Sequence, residues 1–183
     1  FDCITFFNEN FIANLRFEIL HKQVDHFIIC ESIYDHRGNK KKLNFKLLNN
    51  SFKNKITYLI IQEPFNAKQN EWQNQATQRE YLFNGLKMAN ADDYIMFSDP
   101  DEIPNPKILK NFKLLKKYGV FLQKMYCYKF NLYNHHESPW EGTRICKKKN
   151  LKSIDYMRQK IKIKNLNEPF WKLYKEKSIE IFK

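Results

Sequence analysis

The sequence predicts an α/β domain with a mostly parallel central sheet flanked by helices, and three observations predict it. Short apolar runs of strand type recur along the first half of the chain, at Cys3 to Phe7, Phe27 to Cys30, Ile56 to Ile61 and Tyr94 to Phe97. Such runs read as strands buried on both faces, the pattern of a parallel sheet covered by helices. Segments of helical spacing separate them in the order strand, helix, strand, strand, helix, strand, helix. Acids then follow three of the strand ends: Glu9, Glu31, and Asp99 with Asp101. Ligands of such sheets bind beyond the carboxyl ends of the strands.

Cys3 to Phe7 is the first strand. From Phe11, apolar residues recur at Ile12, Leu15 and Ile19, a helical spacing that Asn8 or Asn10 can cap. Phe27-Ile28-Ile29-Cys30 is a buried strand ending at Glu31. The polar segment Asp35 to Lys42, with Gly38, is a loop, and the β-rich run Ile56 to Ile61 closes at Glu63-Pro64. Asn70-Glu71-Trp72-Gln73 has the form of a capping box. It predicts a helix to about Met88, with Trp72, Ala76, Arg79, Leu82 or Phe83, and Leu86 on one side. Tyr94 to Phe97 is the central strand and runs into Ser98-Asp99-Pro100-Asp101-Glu102. Asn105 and Pro106 supply the cap and first-turn proline of a helix carrying Ile108, Phe112 and Leu115, with Gly119 as its C′ glycine. Val120 to Tyr133 is aromatic and strand-like, and residues 135–140 form a loop. Lys160 to Lys164 alternates like a half-exposed strand, and Ile179 to Phe182 reads as a strand. With no repeat or linker, one domain over 1–183 is expected.

The chain has 183 residues, 43% of them apolar and 16% aromatic, which suits a packed core and excludes disorder. No run of about 18 apolar residues occurs, and no basic lead or small-residue cleavage site opens the chain. It begins without Met and ends in a strand-like run, so a trimmed or incomplete chain is expected. The cysteines at 3, 30, 127 and 146 have neither zinc nor redox spacing. Cys3 and Cys30 lie in apolar strand-like runs, where a free thiol acts as a small hydrophobe, and a reducing, cytoplasmic setting is the expectation, with the Asn49-Asn50-Ser51 sequon idle. The net charge of +12 is scattered apart from Lys40-Lys41-Lys42 and Lys147-Lys148-Lys149, which read as solvated loops. His135-His136 reads as a polar loop rather than a metal site.

Two carboxylates one residue apart after a buried strand suit a hard divalent cation, which takes oxygen ligands and keeps open positions for phosphate oxygens. Pro100, Pro104 and Pro106 stiffen the backbone that holds Asp99 and Asp101 together. Such an ion can stabilise the charge that builds up when a nucleoside diphosphate leaves a sugar.

The wider pattern carries a resemblance. Asp2-Cys3-Ile4-Thr5-Phe6-Phe7-Asn8-Glu9, Leu15-Arg16-Phe17-Glu18 and Val24 to Glu31 resemble the opening of the family 17 glycosyltransferases. The likeness continues through Trp72-Gln73-Asn74-Gln75, Gln78-Arg79, Gly85-Leu86, Asp93 to Pro104 and Tyr126 to Asn131. This family includes the β-1,4-mannosyl-glycoprotein 4-β-N-acetylglucosaminyltransferases. The resemblance implies a GT-A-like (Rossmann-like) fold, a UDP-sugar donor, Mn2+ or Mg2+ at Asp99 and Asp101, and inversion at the anomeric carbon. Residues 1–118 then form the nucleotide-sugar and metal half, and residues 119–183 the acceptor side. Phe7, Asn8, Glu9, Glu31, Arg79 and Asp99 are the candidate donor-binding residues. Glu102 is the candidate general base, beside Glu137, Glu141 and Asp155 in the acceptor half. Trp72 and Trp140 are candidates for stacking a sugar. The sequence departs from the family pattern at Pro100, where an aliphatic residue is usual, and at Gln75, where Glu is frequent. Relatives also continue into a Gly-Gly-Trp-His segment.

The expected acceptor is a glycan, a glycoprotein or a lipid-linked sugar, with peripheral association at a membrane face. A metal-dependent nucleotidyl or phosphoryl transferase is the alternative enzyme, weakened because no G-x-x-x-x-G-K-S/T loop occurs. A basic module binding nucleic acid or lipid is the alternative without catalysis. The scattered lysines and the lack of RNA-recognition or zinc-finger patterns favour no nucleic-acid partner. Fluorescence anisotropy with a random oligonucleotide should therefore show binding weaker than about 1 μM at physiological salt; tight, steeply salt-dependent binding would contradict this.

Overall fold

Strand side chains alternate between two apolar layers, one on each face of a seven-stranded sheet. The computed structural model describes residues 1–128, 131–172 and 174–183. In chain order the elements are β1 (Asp2–Phe6), α1 (Asn10–Leu20), β2 (Phe27–Ser32), β3 (Ile56–Ile61), α2 (Glu71–Tyr81) and β4 (Tyr94–Ser98). They continue with α3 (Pro106–Leu109), β5 (Tyr118–Gln123), β6 (Trp140–Lys147), α4 (Ile154–Lys160) and β7 (Ile179–Phe182). The sheet order is β3-β2-β1-β4-β6-β5-β7. The first four of these pair in parallel, β6 runs antiparallel to β4 and β5, and β7 is parallel to β5. The mostly parallel α/β sheet expected from the apolar runs is what the chain forms.

Cys3, Ile28, Cys30, Ile95 and Phe97 pack on one face with Leu82, Leu86, Ile154, Met157 and Ile161. Ile4, Phe6, Phe27, Ile29 and Met96 pack on the other with Ala13, Phe17 and Leu20 of α1. Double burial explains why these strands read as unbroken apolar runs. Burial also raises the thiols of Cys3, Cys30 and Cys146, the last two to about 12, so they behave as small hydrophobes. Among the described residues, no helix is long and apolar enough to cross a membrane.

Several elements differ from their sequence expectation. The buried face of α1 is Ala13, Asn14, Arg16, Phe17 and Leu20, while Phe11 is 64% exposed. The face expected from Ile12, Leu15 and Ile19 is therefore rotated, because a buried arginine takes part in the packing. Neither Asn8 nor Asn10 caps this helix; Glu9 stands at its N-cap. The capping box at Asn70 and Gln73 forms, but α2 ends at Tyr81 and continues as a 3₁₀ segment, Leu82–Met88. Gly85 sets that segment close to β2, since a Cβ there would lie 2.5 Å from Cγ2 of Ile28. Trp72 is 78% exposed rather than part of the buried face.

The helix expected up to Gly119 stops at Leu109. Phe112 instead joins Tyr94, Phe121 and Phe182 in an aromatic cluster. The backbone N–H groups of Leu115 and Lys116 donate to the Glu180 carboxylate at 2.8 and 3.2 Å. Tertiary contacts with β7 thus override the local helical spacing. The strand-like stretch from Val120 ends at Gln123, with one further bridge between Tyr126 and Tyr133; Lys129 and Phe130 lie outside the described residues. Lys160 to Lys164 is no strand. It spans the end of α4 and the start of a 3₁₀ segment, Ile163–Asn167, and Ile154, Met157 and Ile161 share a helical period in the core. The second lysine run stays at the surface, with Lys149 exposed, but its side chains make defined contacts. Lys147 and Lys149 reach Asp92 at 2.9 and 2.7 Å, and Lys148 donates to the carbonyls of Leu86 and Ala89.

Gly119 lies inside β5, where close strand packing requires it. A Cβ there would stand 2.6 Å from Cε2 of Phe182 and 2.8 Å from Cγ2 of Ile145. Gly119→Ala should lower stability by about 1–3 kcal/mol in urea unfolding. No change would contradict this packing.

Candidate active site

β1 and β4 pair in parallel with Ile4 opposite Ser98, so their carboxyl ends open on the same edge of the sheet. From that end of β4 the chain turns through Asp99, Pro100, Asp101 and Glu102. The N–H of Glu102 donates to the Asp99 carbonyl at 3.0 Å, and that of Ile103 to the Asp101 carbonyl at 3.1 Å. The Glu102 carboxylate folds back and accepts from the Asp99 N–H at 3.2 Å. The turn closes on its own acid.

Arg16 holds this turn from below. Its side chain is fully buried and makes a two-pronged contact with Asp2, Nε to Oδ2 at 2.7 Å and Nη2 to Oδ1 at 2.8 Å. Nη2 also donates to Ser98 Oγ at 2.6 Å, and Nη1 to the carbonyls of Asp99, Pro100 and Glu102 at 3.5, 3.4 and 3.0 Å. Thr143 Oγ1, from β6, donates to the Glu102 carbonyl at 2.7 Å. With its backbone oxygens drawn inward, the turn carries Asp101 exposed and the Asp99 side chain 33% exposed.

Three clefts meet at Asp99. One of about 320 Å3 lies beyond β1 and is lined by Phe7, Glu9, Ile12, His36 and Gln78 with Asp101. A second, of about 520 Å3, is lined by Arg79, Arg144, Arg158 and Lys162 with Glu141. A third, of about 650 Å3, is lined by Asp101, Glu102, Phe121, Met125, Tyr126 and Trp140. Asp99 borders all three, and Trp140 lines both the second and the third.

The structure brings together part of the expected set. Phe7 and Glu9 line the β1 cleft, and the Glu9 carboxylate accepts from the N–H groups of Phe7 and Asn8 at 3.0 and 2.9 Å. Asn8 is exposed beside it. Arg79 lines the second cleft, 4% exposed and paired with Asp155 at 2.9 Å. Glu31 is a correction. It sits inside β2, fully buried, and accepts from Lys41 Nζ, the N–H groups of Asn44 and Phe45, and Tyr58 Oη. An ionised carboxylate offers about four acceptor sites, and these donors use them all. Glu31 therefore anchors the segment after the 35–42 loop and does not face a cleft.

Glu102 is likewise committed. It is 8% exposed and its Oε1 accepts from Trp140 Nε1 at 2.6 Å and Arg158 Nη2 at 3.2 Å. Burial holds its carboxyl above the ordinary range, against the pull of Arg158, with Asp99 adding to the rise. In this structure it braces the acidic turn rather than standing free as a base. Of the other acids, Glu141 lines the second cleft and accepts from the Ile163 N–H at 3.1 Å, Asp155 is taken by Arg79, and Glu137 is exposed beside Asn134. His135 and His136 are exposed in a turn.

Among the described residues, no group of three or more His, Cys, Asp or Glu side chains is arranged to hold a metal. Asp99 and Asp101 nonetheless fit a small hard cation. Such an ion is commonly held by one or two carboxylates, the rest of its shell coming from water and phosphate oxygens. The chemistry of the donor set and the cleft at its side meet that requirement.

Sequence reasoning missed Arg16, Arg144 and Arg158. Only Arg16 left a usable signal, an arginine on the side of α1 that carries Ala13, Phe17 and Leu20. The other two lie on β6 and α4, elements the sequence pattern did not reveal.

A family model described as Glycosyltransferase family 17 matches residues 1–170. The chain is similar to the β-1,4-mannosyl-glycoprotein 4-β-N-acetylglucosaminyltransferases of Homo sapiens and Rattus norvegicus. Each is 29% identical over 103 residues, covering 51% of this chain and 19% of the relative. The chain thus matches about a fifth of the length of these relatives. A solved glycosyltransferase involved in the glycosylation of the major capsid of PBCV-1 aligns at 12% identity, with a TM-score of 0.40, over 100% of this chain and 80% of that one.

Arg16→Met strands the buried Asp2 carboxylate. It should cost about 3–5 kcal/mol in urea unfolding, and the double variant with Asp2→Asn should cost less than the sum of the single changes. A loss under about 1 kcal/mol would contradict the role given to this pair.

Proposed function

The chain belongs to glycosyltransferase family 17, and on that premise we propose that it transfers N-acetylglucosamine from a UDP donor to a glycan hydroxyl, with inversion and with Mn2+ or Mg2+ at Asp99 and Asp101. One observation carries this reading: Asp99 stands where three clefts converge at the carboxyl ends of β1 and β4. A donor nucleotide, its diphosphate and an acceptor need three adjoining spaces around one charge-neutralising point.

The chain's own residues divide the work. Phe7 is 51% exposed and presents a ring at the β1 cleft, with Lys41 Nζ 5.2 Å from its centroid, a surface suited to a nucleobase and its phosphates. The aromatic cleft, with Phe121, Tyr126 and Trp140, suits the apolar faces of an acceptor sugar. The arginine-lined cleft between them suits the diphosphate. Glu102 keeps Asp99 and Trp140 in place through its contacts with the Asp99 N–H and Trp140 Nε1. A bound divalent cation supplies electrostatic stabilisation of the leaving diphosphate. Inversion requires a single displacement in which the acceptor hydroxyl loses its proton to a base.

Thermal-shift measurements with Mn2+ test the donor. At ten times its Kd, UDP-N-acetylglucosamine should stabilise the chain by about 1.4 kcal/mol, a Tm rise of roughly 3–6 °C. Stabilisation by nucleoside triphosphates and by no nucleotide sugar would favour a nucleotidyl or phosphoryl transferase instead. Asp101 is exposed, so Asp101→Ala should leave basal stability within about 0.5 kcal/mol while removing the Mn2+-dependent part of the shift. An unchanged shift would end the metal assignment.

A further inference from the structure

Arg16 binds the carbonyls of the acidic turn, and a second cation already sits on its carboxylates. Arg158 of α4 donates from Nη2 to Asp99 Oδ2 at 2.8 Å and to Glu102 Oε1 at 3.2 Å. Its side chain is 14% exposed, so the contact is partly shielded from solvent. The same residue lines the cleft that also holds Arg79, Arg144 and Lys162. The two neighbourhoods pull it in opposite directions. The carboxylates attract it, and the cations of the cleft repel it. The crowding registers on Arg144, lowered to about 10 by burial first and Arg158 second, and on Lys162, lowered by burial and then by Lys164, Arg144 and Arg158.

The arginines of this cleft are not equally free. Arg79 is tied to Asp155, and Arg144 donates to the carbonyls of Glu141, Gly142 and Ile161. Neither anchor belongs to the acidic turn. Arg158 is held by Asp99 and Glu102 of that turn, so a ligand that takes Asp99 removes the shorter of its two contacts and leaves only the longer one to Glu102.

We propose that Arg158 is a displaceable counter-ion: it neutralises Asp99 until a divalent cation takes that carboxylate, then turns into the basic cleft and holds the donor's diphosphate. The inference rests on the reading of Asp99 and Asp101 as the cation site. Like charges about 4 Å apart repel by about 1 kcal/mol per unit pair in water and by several times that near a shielded surface, so a cation on Asp99 weakens the hold of Asp99 on the guanidinium. A diphosphate supplies the negative charge that the cleft's cations lack a full complement of, and the planar guanidinium matches phosphate oxygens in pairs. Metal and diphosphate then favour each other, because each removes an obstacle to the other.

The test uses the 183-residue chain and its variants Arg158→Gln and Arg158→Lys, with circular dichroism to show folding. Mn2+ alone is titrated by the electron paramagnetic resonance of the free ion, and UDP is titrated by calorimetry at saturating Mn2+. Arg158→Gln should bind Mn2+ alone about tenfold tighter and UDP about tenfold weaker, within the usual range for coupled sites. Arg158→Lys, which keeps the charge without the fork, should shift both in the same senses by smaller factors, and it carries the test if the glutamine variant does not fold. A purely structural role weakens both ligands together, and that result overturns the inference. Wild-type Mn2+ binding with no gain in either variant overturns it too, while leaving the cation site standing. Failure of every protein to bind Mn2+, with or without UDP, ends both.

Discussion

The buried pair of Arg16 and Asp2 is the constraint on which the acidic turn depends. A guanidinium taken out of water is tolerated only when its N–H groups find acceptors, and here one carboxylate, one hydroxyl and three carbonyls receive them. The acceptors come from β1 and from the chain leaving β4, while the arginine comes from α1. The packing of a helix on a sheet face therefore fixes where Asp99 and Asp101 stand. Because the turn's carbonyls are drawn inward to the arginine, the carboxylates are left to face outward. The same contact explains why an arginine lies among Ala13, Phe17 and Leu20.

Around that fixed turn the charges are arranged in layers. Glu102 and Trp140 form an inner brace, linked at 2.6 Å, and Trp140 stands as a wall between the basic and the aromatic clefts. Arg158 crosses from the brace to Asp99 and ties α4 to the turn. An acidic corner bordered on one side by cations and on another by aromatic rings is the arrangement on which the proposed transfer from a charged donor to a sugar acceptor rests.

The sequence was most legible where one physical rule acts alone. Doubly buried strands appear as apolar runs, so β1, β2 and β4 were readable to within two residues, as was the half-buried edge strand β3 from its β-rich run, and the capping box at Asn70 and Gln73 marked the start of α2. It was least legible where tertiary contacts outweigh local pattern. Phe112 has helical spacing with Ile108, yet an aromatic cluster with Tyr94, Phe121 and Phe182 claims it. The strand β6 escaped notice because Thr143 and Arg144 put polar side chains in its buried middle. At the site, Asp99 and Asp101 were visible as a motif and Glu9 as a strand-end acid. Glu31 carried the same signal, but its donors lie 10 to 27 residues away and leave no local trace. Arg158 could not be found from spacing, since its link to Asp99 spans 59 residues and depends on α4, whose pattern resembled a strand at its end.

A crystal structure with UDP and Mn2+ is the most direct test of the central claim, that the arginine-stapled turn is where the cation and the diphosphate meet. The account predicts an anomalous manganese peak roughly 2.0–2.4 Å from carboxylate oxygens of Asp99 and Asp101, with diphosphate oxygens completing its shell. A manganese peak elsewhere, with UDP bound away from all three clefts, would contradict it.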